Sequence, residues 1–323
     1  MKLKKLFLLL IMTSFLANAQ VTLPAYQDYL SDNIFLLHPS MAGIGSCSKV
    51  RLTARQQWQG VDDSPMLQTL TVHAPIGDRV GLGLTLINDR NGYHSQKGVQ
   101  GTFAYHLDFS RSPATLSKLS FGLRLSYMQN QLDETSFDPL DFDPIITGVI
   151  QSKSYINADF GLSYHFWDFY GHATVKNALL SYRDLYTREN ESPNLREYLF
   201  TLGYNFGFNS DFQVEPSVMF DLKERTKEQF IDFNLKFTKK FDDTRLWAVV
   251  SYRRGLDKGA LQNYSEITPV LGLNYKKMMF AYTYTHQLDN VVFKDDGYHQ
   301  VTIGFNFACK PERYHCDCPY VNF

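Results

Sequence analysis

The chain has 323 residues, 32 Lys plus Arg against 33 Asp plus Glu, and a formal net charge of −1. That balance offers no long-range attraction to nucleic acid or acidic partners. Aromatic residues reach 15%, with 25 Phe and 20 Tyr, at a mean hydropathy of only −0.27; past the N-terminus no apolar stretch approaches the roughly 20 residues of a membrane helix, which excludes helical spans.

Lys2, Lys4 and Lys5 precede an apolar run from Leu6 to Met12 that continues to Leu16, and Ala17-Asn18-Ala19 offers small residues where a signal peptidase reads. The apolar core is too short to cross a bilayer as a helix, so residues 1–19 are expected to be a secretory signal peptide cut before Gln20. Gln20 is not a cysteine, which leaves no lipid anchor in view. Residues 20–48 show no clean period and are expected either to plug a lumen or to lie on the periplasmic face.

Residues 49–309 alternate with period two. Leu119, Phe121, Leu123, Leu125 and Tyr127 interleave with Ser120, Gly122, Arg124, Ser126 and Met128. Burying Arg124 unpaired in a soluble core would cost several kcal/mol, whereas a barrel lumen hydrates it. The same contrast recurs for Tyr198, Phe200, Leu202, Tyr204 and Phe206, and for Ile231, Phe233, Leu235 and Phe237 against Asp232, Asn234 and Lys236. Further strands begin near Val50, Met66, Val80, Gly98, Ile156, Phe169, Phe212, Leu246, Tyr264, Met278 and His299. The pattern predicts an all-β fold, a transmembrane antiparallel β-barrel of about 14 strands in the outer membrane. Short periplasmic turns such as Pro75 to Asp78, Trp167-Asp168 and Lys276-Lys277 alternate with longer extracellular loops. The longer set is expected at Asp89 to Ser95, Leu132 to Tyr155, Ala178 to Arg196 and Leu288 to Tyr298. Trp58, Tyr93, Trp167, Tyr170, Trp247 and Tyr252 fall near strand ends, where interfacial girdles are expected.

Barrel closure makes the first and last strands neighbours, so Cys47 and Cys309 meet at the periplasmic end; their disulfide is one of three complete pairings open to the four cysteines. Residues 310–323 form a periplasmic tail in which Cys309, His315, Cys316, Asp317 and Cys318 lack the paired spacing of a structural zinc site. Asp133, Glu134, Asp138, Asp141 and Asp143 lack the turn glycine of a calcium loop and read as a solvated external loop. No nucleophile elbow, metalloprotease helix or phosphate cradle is present, so neither catalysis nor a cofactor or metal is expected.

Several segments carry a resemblance. His38-Pro39-Ser40-Met41-Ala42-Gly43, Arg55-Gln56-Gln57-Trp58, the strand from Gly81 into Asn88-Asp89-Arg90-Asn91-Gly92, Ser251-Tyr252-Arg253, and the strand Gly297 to Phe307 resemble the PorP/SprF-like membrane proteins of the type IX secretion and gliding apparatus of Bacteroidetes-type bacteria. Pro39, Gly43, Trp58, Asn88, Asp89, Arg90 and Gly92 carry the motifs, and His38 stands where the family usually has Asn. The resemblance implies an outer-membrane barrel that docks or retains the C-terminal domain of a large secreted adhesin-type protein and links to periplasmic components of the machine. The alternatives are a diffusion porin or solute-transport barrel, and a membrane-embedded hydrolase.

Overall fold

The computed structural model describes residues 33–57, 63–112, 115–135, 148–181, 196–209, 211–256, 264–288, 297–311 and 314. The expected signal peptide, Trp58, Asp138, Asp141, Asp143, His315, Cys316, Asp317 and Cys318 lie outside the described residues. Strands follow in the order β1 (Ser48–Gln57), β2 (Met66–Ile76), β3 (Val80–Asn91), β4 (His94–Asp108), β5 (Ser117–Asp133), β6 (Ile150–Phe166), β7 (Phe169–Lys176) and β8 (Glu197–Tyr204). They continue with β9 (Phe206–Asn209), β10 (Phe212–Lys223), β11 (Gln229–Lys240), β12 (Thr244–Gly255), β13 (Ser265–Tyr275), β14 (Met278–Gln287) and β15 (Gly297–Phe307).

Neighbours in the wall are antiparallel, and β1 also pairs with β15, from Ser48 opposite Phe307 to Gln57 opposite Tyr298. The result is a closed barrel of 14 strands with one extra, because β8 and β9 both pair with β10 and are parted at the buried Asn205. Closure is what hydrocarbon demands, since each unpaired backbone group there costs several kcal/mol.

Side-chain parity fixes the two faces. Phe121, Leu125 and Tyr127 are 45%, 54% and 52% exposed while Arg124 between them is 2%. On β11, Phe233 is exposed and Asp232 and Asn234 are buried. Large apolar side chains outside and polar ones inside invert the soluble arrangement and mark the outer face as the lipid face. Tyr93 and Trp167 are exposed and Tyr252 half-buried, but Tyr170 and Trp247, expected in the girdles, point inward and are buried at 0% and 6%. A single step of parity separates a girdle aromatic from a lumenal one, and strand-end position alone does not register it.

One end of the barrel carries Ser48, Phe307 and the tight connections at 77–79, 167–168, 241–243 and 276–277; at the other end β5, β7 and β14 stop at Asp133, Lys176 and Gln287, and the next strands begin only at Ile150, Glu197 and Gly297. This asymmetry places the first end in the periplasm. The expected long loop from Asp89 to Ser95 is instead a hairpin: Arg90 pairs with Ser95 and Asn91 with His94, around Gly92 at φ 57°. Likewise β4 starts at His94, not near Gly98, and β6 at Ile150, not near Ile156. These strands project past the hydrocarbon, where outward positions such as Gln68, Arg90, Lys97, Gln129 and Ser152 are polar and the period-two contrast disappears.

Cys47, just before β1, is joined to Cys309, just after β15, at S–S 2.05 Å. Non-reducing peptide mapping is expected to recover these two in one cross-linked peptide; finding Cys47 joined to Cys316 or Cys318 would contradict that pairing.

Candidate functional site

Immediately before the seam the chain turns into the barrel. Residues 33–45 are all buried, and they include two single 3-10 turns, Ile34–Leu36 and Pro39–Met41. The segment pairs with no strand of the wall, so lumenal side chains must satisfy its backbone.

Two inward histidines and one arginine do so. Arg124 donates from Nη1 to the Leu36 carbonyl at 2.9 Å and from Nη2 to the Phe35 carbonyl, with Nε on Thr102 Oγ1 at 3.3 Å. Its charge is balanced by Asp159 at 3.7 Å, both side chains being almost fully buried. The lumen was expected to hydrate Arg124; plug carbonyls and a carboxylate take the place of that water. The Gly43 N–H donates to His73 Nδ1 at 3.0 Å, which leaves the His73 proton on Nε2. His106 Nε2 donates to the Ala42 carbonyl at 3.0 Å, so its Nδ1 accepts from Ser120 Oγ at 2.8 Å. The plug's own His38 spans two strands, with Nδ1 2.8 Å from Thr174 Oγ1 on β7 and Nε2 3.1 Å from Thr201 Oγ1 on β8. A neutral imidazole donates at one nitrogen and accepts at the other, so one threonine gives and the other takes. Ser40 Oγ meets Ser163 Oγ at 2.6 Å, and Asn33 donates to Thr71 Oγ1 at 3.2 Å.

Close approach depends on glycines. A Cβ at Gly122 would run into the Pro39–Ser40 peptide, and one at Gly161 into the Pro39 ring. Gly83 lies under the Phe35 ring; Gly81 abuts Ala42 and Gly43, the latter at φ 63°, a conformation that favours glycine. Apolar contacts complete the seat: Leu36 packs with Leu67 and Ile87, and Leu37 with the inward Leu199 and Met219. Each fully buried large side chain contributes about 1.5–3 kcal/mol, so this short segment gains enough to stay in place.

Toward the extracellular end the lumen wall carries paired charges. Arg253 grips Asp232 at 2.7 and 2.8 Å and lies 3.7 Å from Glu266; Lys223 meets Glu228 at 2.7 Å and Lys176 meets Glu197 at 3.3 Å. Beyond the strand ends, a hydrogen bond from Tyr198 and the charge of Arg196 hold the exposed Glu224 carboxyl below its usual range.

The motif residues therefore divide between two places. Pro39 and Gly43 sit in the plug, whereas Asn88, Asp89, Arg90 and Gly92 sit at the β3–β4 hairpin, where Asn88 donates to Gln68 at 3.1 Å and Arg90 pairs with Asp63. Arg124, His73, His106, Thr174, Thr201 and the wall glycines were not singled out in sequence as plug contacts; an arginine and histidines at inward positions of β2, β4 and β5 were the available signal. Among the described residues no group of three or more His, Cys, Asp and Glu side chains could hold a metal.

The family model for the type IX secretion system membrane protein PorP/SprF matches residues 18–305. The chain belongs to the PorP/SprF family. As a PorP/SprF member it is an outer-membrane barrel of the type IX secretion system. No curated protein matches it. Among solved structures, this PorP/SprF chain is similar to the CymD monoaromatic hydrocarbon channel at 11% identity and TM-score 0.48, over 86% of this chain and 92% of that one. It is similar to a Pseudomonas aeruginosa FadL homologue at 9% identity and TM-score 0.45, over 81% and 89%. CdiB from Acinetobacter baumannii matches at 10% identity and TM-score 0.44 over 81% of this chain, which spans 60% of CdiB.

Proposed function

We propose that this PorP/SprF barrel is a non-catalytic docking component of the type IX secretion system. It receives or retains the C-terminal domain of a large secreted surface protein of adhesin type, and it links to periplasmic parts of the machine. One observation carries the reading: the lumen holds the protein's own segment, clamped by Arg124, His38, His73 and His106, where a diffusion porin needs a continuous water path. A wall with paired lumenal charges toward the outside and long extracellular connections suits contact with a polypeptide better than passage of small solutes.

The test is purification from outer membranes in mild detergent, followed by identification of bound chains and conductance in planar bilayers. Recovery with a large secreted protein and low conductance is expected. Recovery alone from cells that contain the secretion machinery, together with porin-like conductance, would overturn the docking reading.

A further inference from the structure

Of the three histidines that hold the plug, two keep their partners whether the ring carries one proton or two. His106 Nε2 already donates to the Ala42 carbonyl, and its Nδ1 faces a hydroxyl, Ser120 Oγ, which accepts as readily as it gives. His38 lies between the hydroxyls of Thr174 and Thr201 and has the same freedom. His73 differs. Its Nδ1 takes the Gly43 N–H at 3.0 Å, and a backbone amide only donates. A proton on that nitrogen sets two N–H groups against each other and ends the contact.

The surroundings of His73 supply no counter-charge. The ring is buried, with the Phe35 ring centroid 4.8 Å away. From β1 it is faced by Lys49, directly opposite in the register, and by Arg51, which Asn306 Oδ1 holds at 2.9 Å. From β3 it is faced by Gly81, Gly83 and Thr85, and its inward neighbours on β2 are Thr71 and Pro75. Residues 33–45 of the plug contain no carboxylate. Asp78 and Arg79, in the turn after β2, are exposed, and Lys310 of the tail brings a further cation to the Gly77 carbonyl.

We propose that His73 is a pH sensor for the plug: neutral, it latches Gly43 at the root of the segment, and protonated, it lets go. Gly43 is packed against the Ala74 carbonyl and Gly81, so its amide reaches another acceptor only by moving. Mild acid therefore loosens the root and makes openings of the lumen more frequent. Once released into water the imidazole takes up a proton with a midpoint near pH 6.5, so below that value each pH unit favours release about tenfold for this one proton.

The experiment is single-channel recording of the full barrel in planar bilayers between about pH 7.5 and pH 5, on either side of the imidazole midpoint. The opening frequency is expected to be flat down to about pH 6.5 and then to rise about tenfold per pH unit. His73→Asn places an amide oxygen near the position of Nδ1, an acceptor that does not titrate, and should remove the rise. His106→Gln keeps a donor for the Ala42 carbonyl and should retain it. A frequency independent of pH in the unaltered barrel overturns the proposal. So does an undiminished rise in folded His73→Asn, or its loss in folded His106→Gln, either of which would assign the response to other groups in the lumen.

Discussion

Arg124→Met is expected to raise conductance in planar bilayers above that of the unaltered barrel and to lower the unfolding free energy by about 3–5 kcal/mol. The substitution keeps the side chain's length but removes the donors that hold the Phe35 and Leu36 carbonyls, and it leaves the buried Asp159 without its counter-charge. The two losses separate. Adding Asp159→Asn removes the orphaned charge while preserving an acceptor for the Asn177 N–H, now held at 3.0 Å. Most of the stability should return in the double variant, since an ion pair replaced at both ends is often near neutral. Conductance should stay high, because the plug carbonyls still lack a donor. Unchanged conductance in both variants would show that Arg124 does not hold the segment.

Gly122→Leu should expel the plug outright. The position faces the Pro39–Ser40 backbone, which cannot move aside as a flexible side chain would, so the cost exceeds the roughly 1–3 kcal/mol of ordinary overpacking. Limited proteolysis of the folded barrel is the readout: cleavage within residues 33–44 is expected in Gly122→Leu, with protection in the unaltered protein. Gly101→Leu is the matched control, because its Cβ would meet nothing within 4 Å. Cleavage that appears equally in both variants, or in neither, would refute a lumenal seat for this segment.

Barrel closure, the faces of β5, β8 and β11, and the strand number were legible in the sequence because a hydrocarbon exterior imposes a period-two signal with strong contrast. Strand length was less so: past the membrane edge both faces are wet, and Asn88 to Gly92 looks like a loop although most of it is paired. The plug was visible only as a segment without period. Its partners are inward residues scattered over eight strands, β2 to β8 and β10, and Gly122, Thr174 or Thr201 reads as ordinary lumen lining until the fold sets it opposite residues 33–44. Leu199 and Met219 show the limit well. They are apolar at inward positions, an anomaly in a polar lumen, and the cause is Leu37 arriving from far away in sequence.

The covalent link at Cys47 stands at the root of the inserted segment. A partner pulling on the N-terminal arm would load that tether first, and the stress would pass across to β15 instead of peeling β1 from its neighbour. The wall is thereby mechanically insulated from a pull on the arm, and the cylinder keeps its shape under that load.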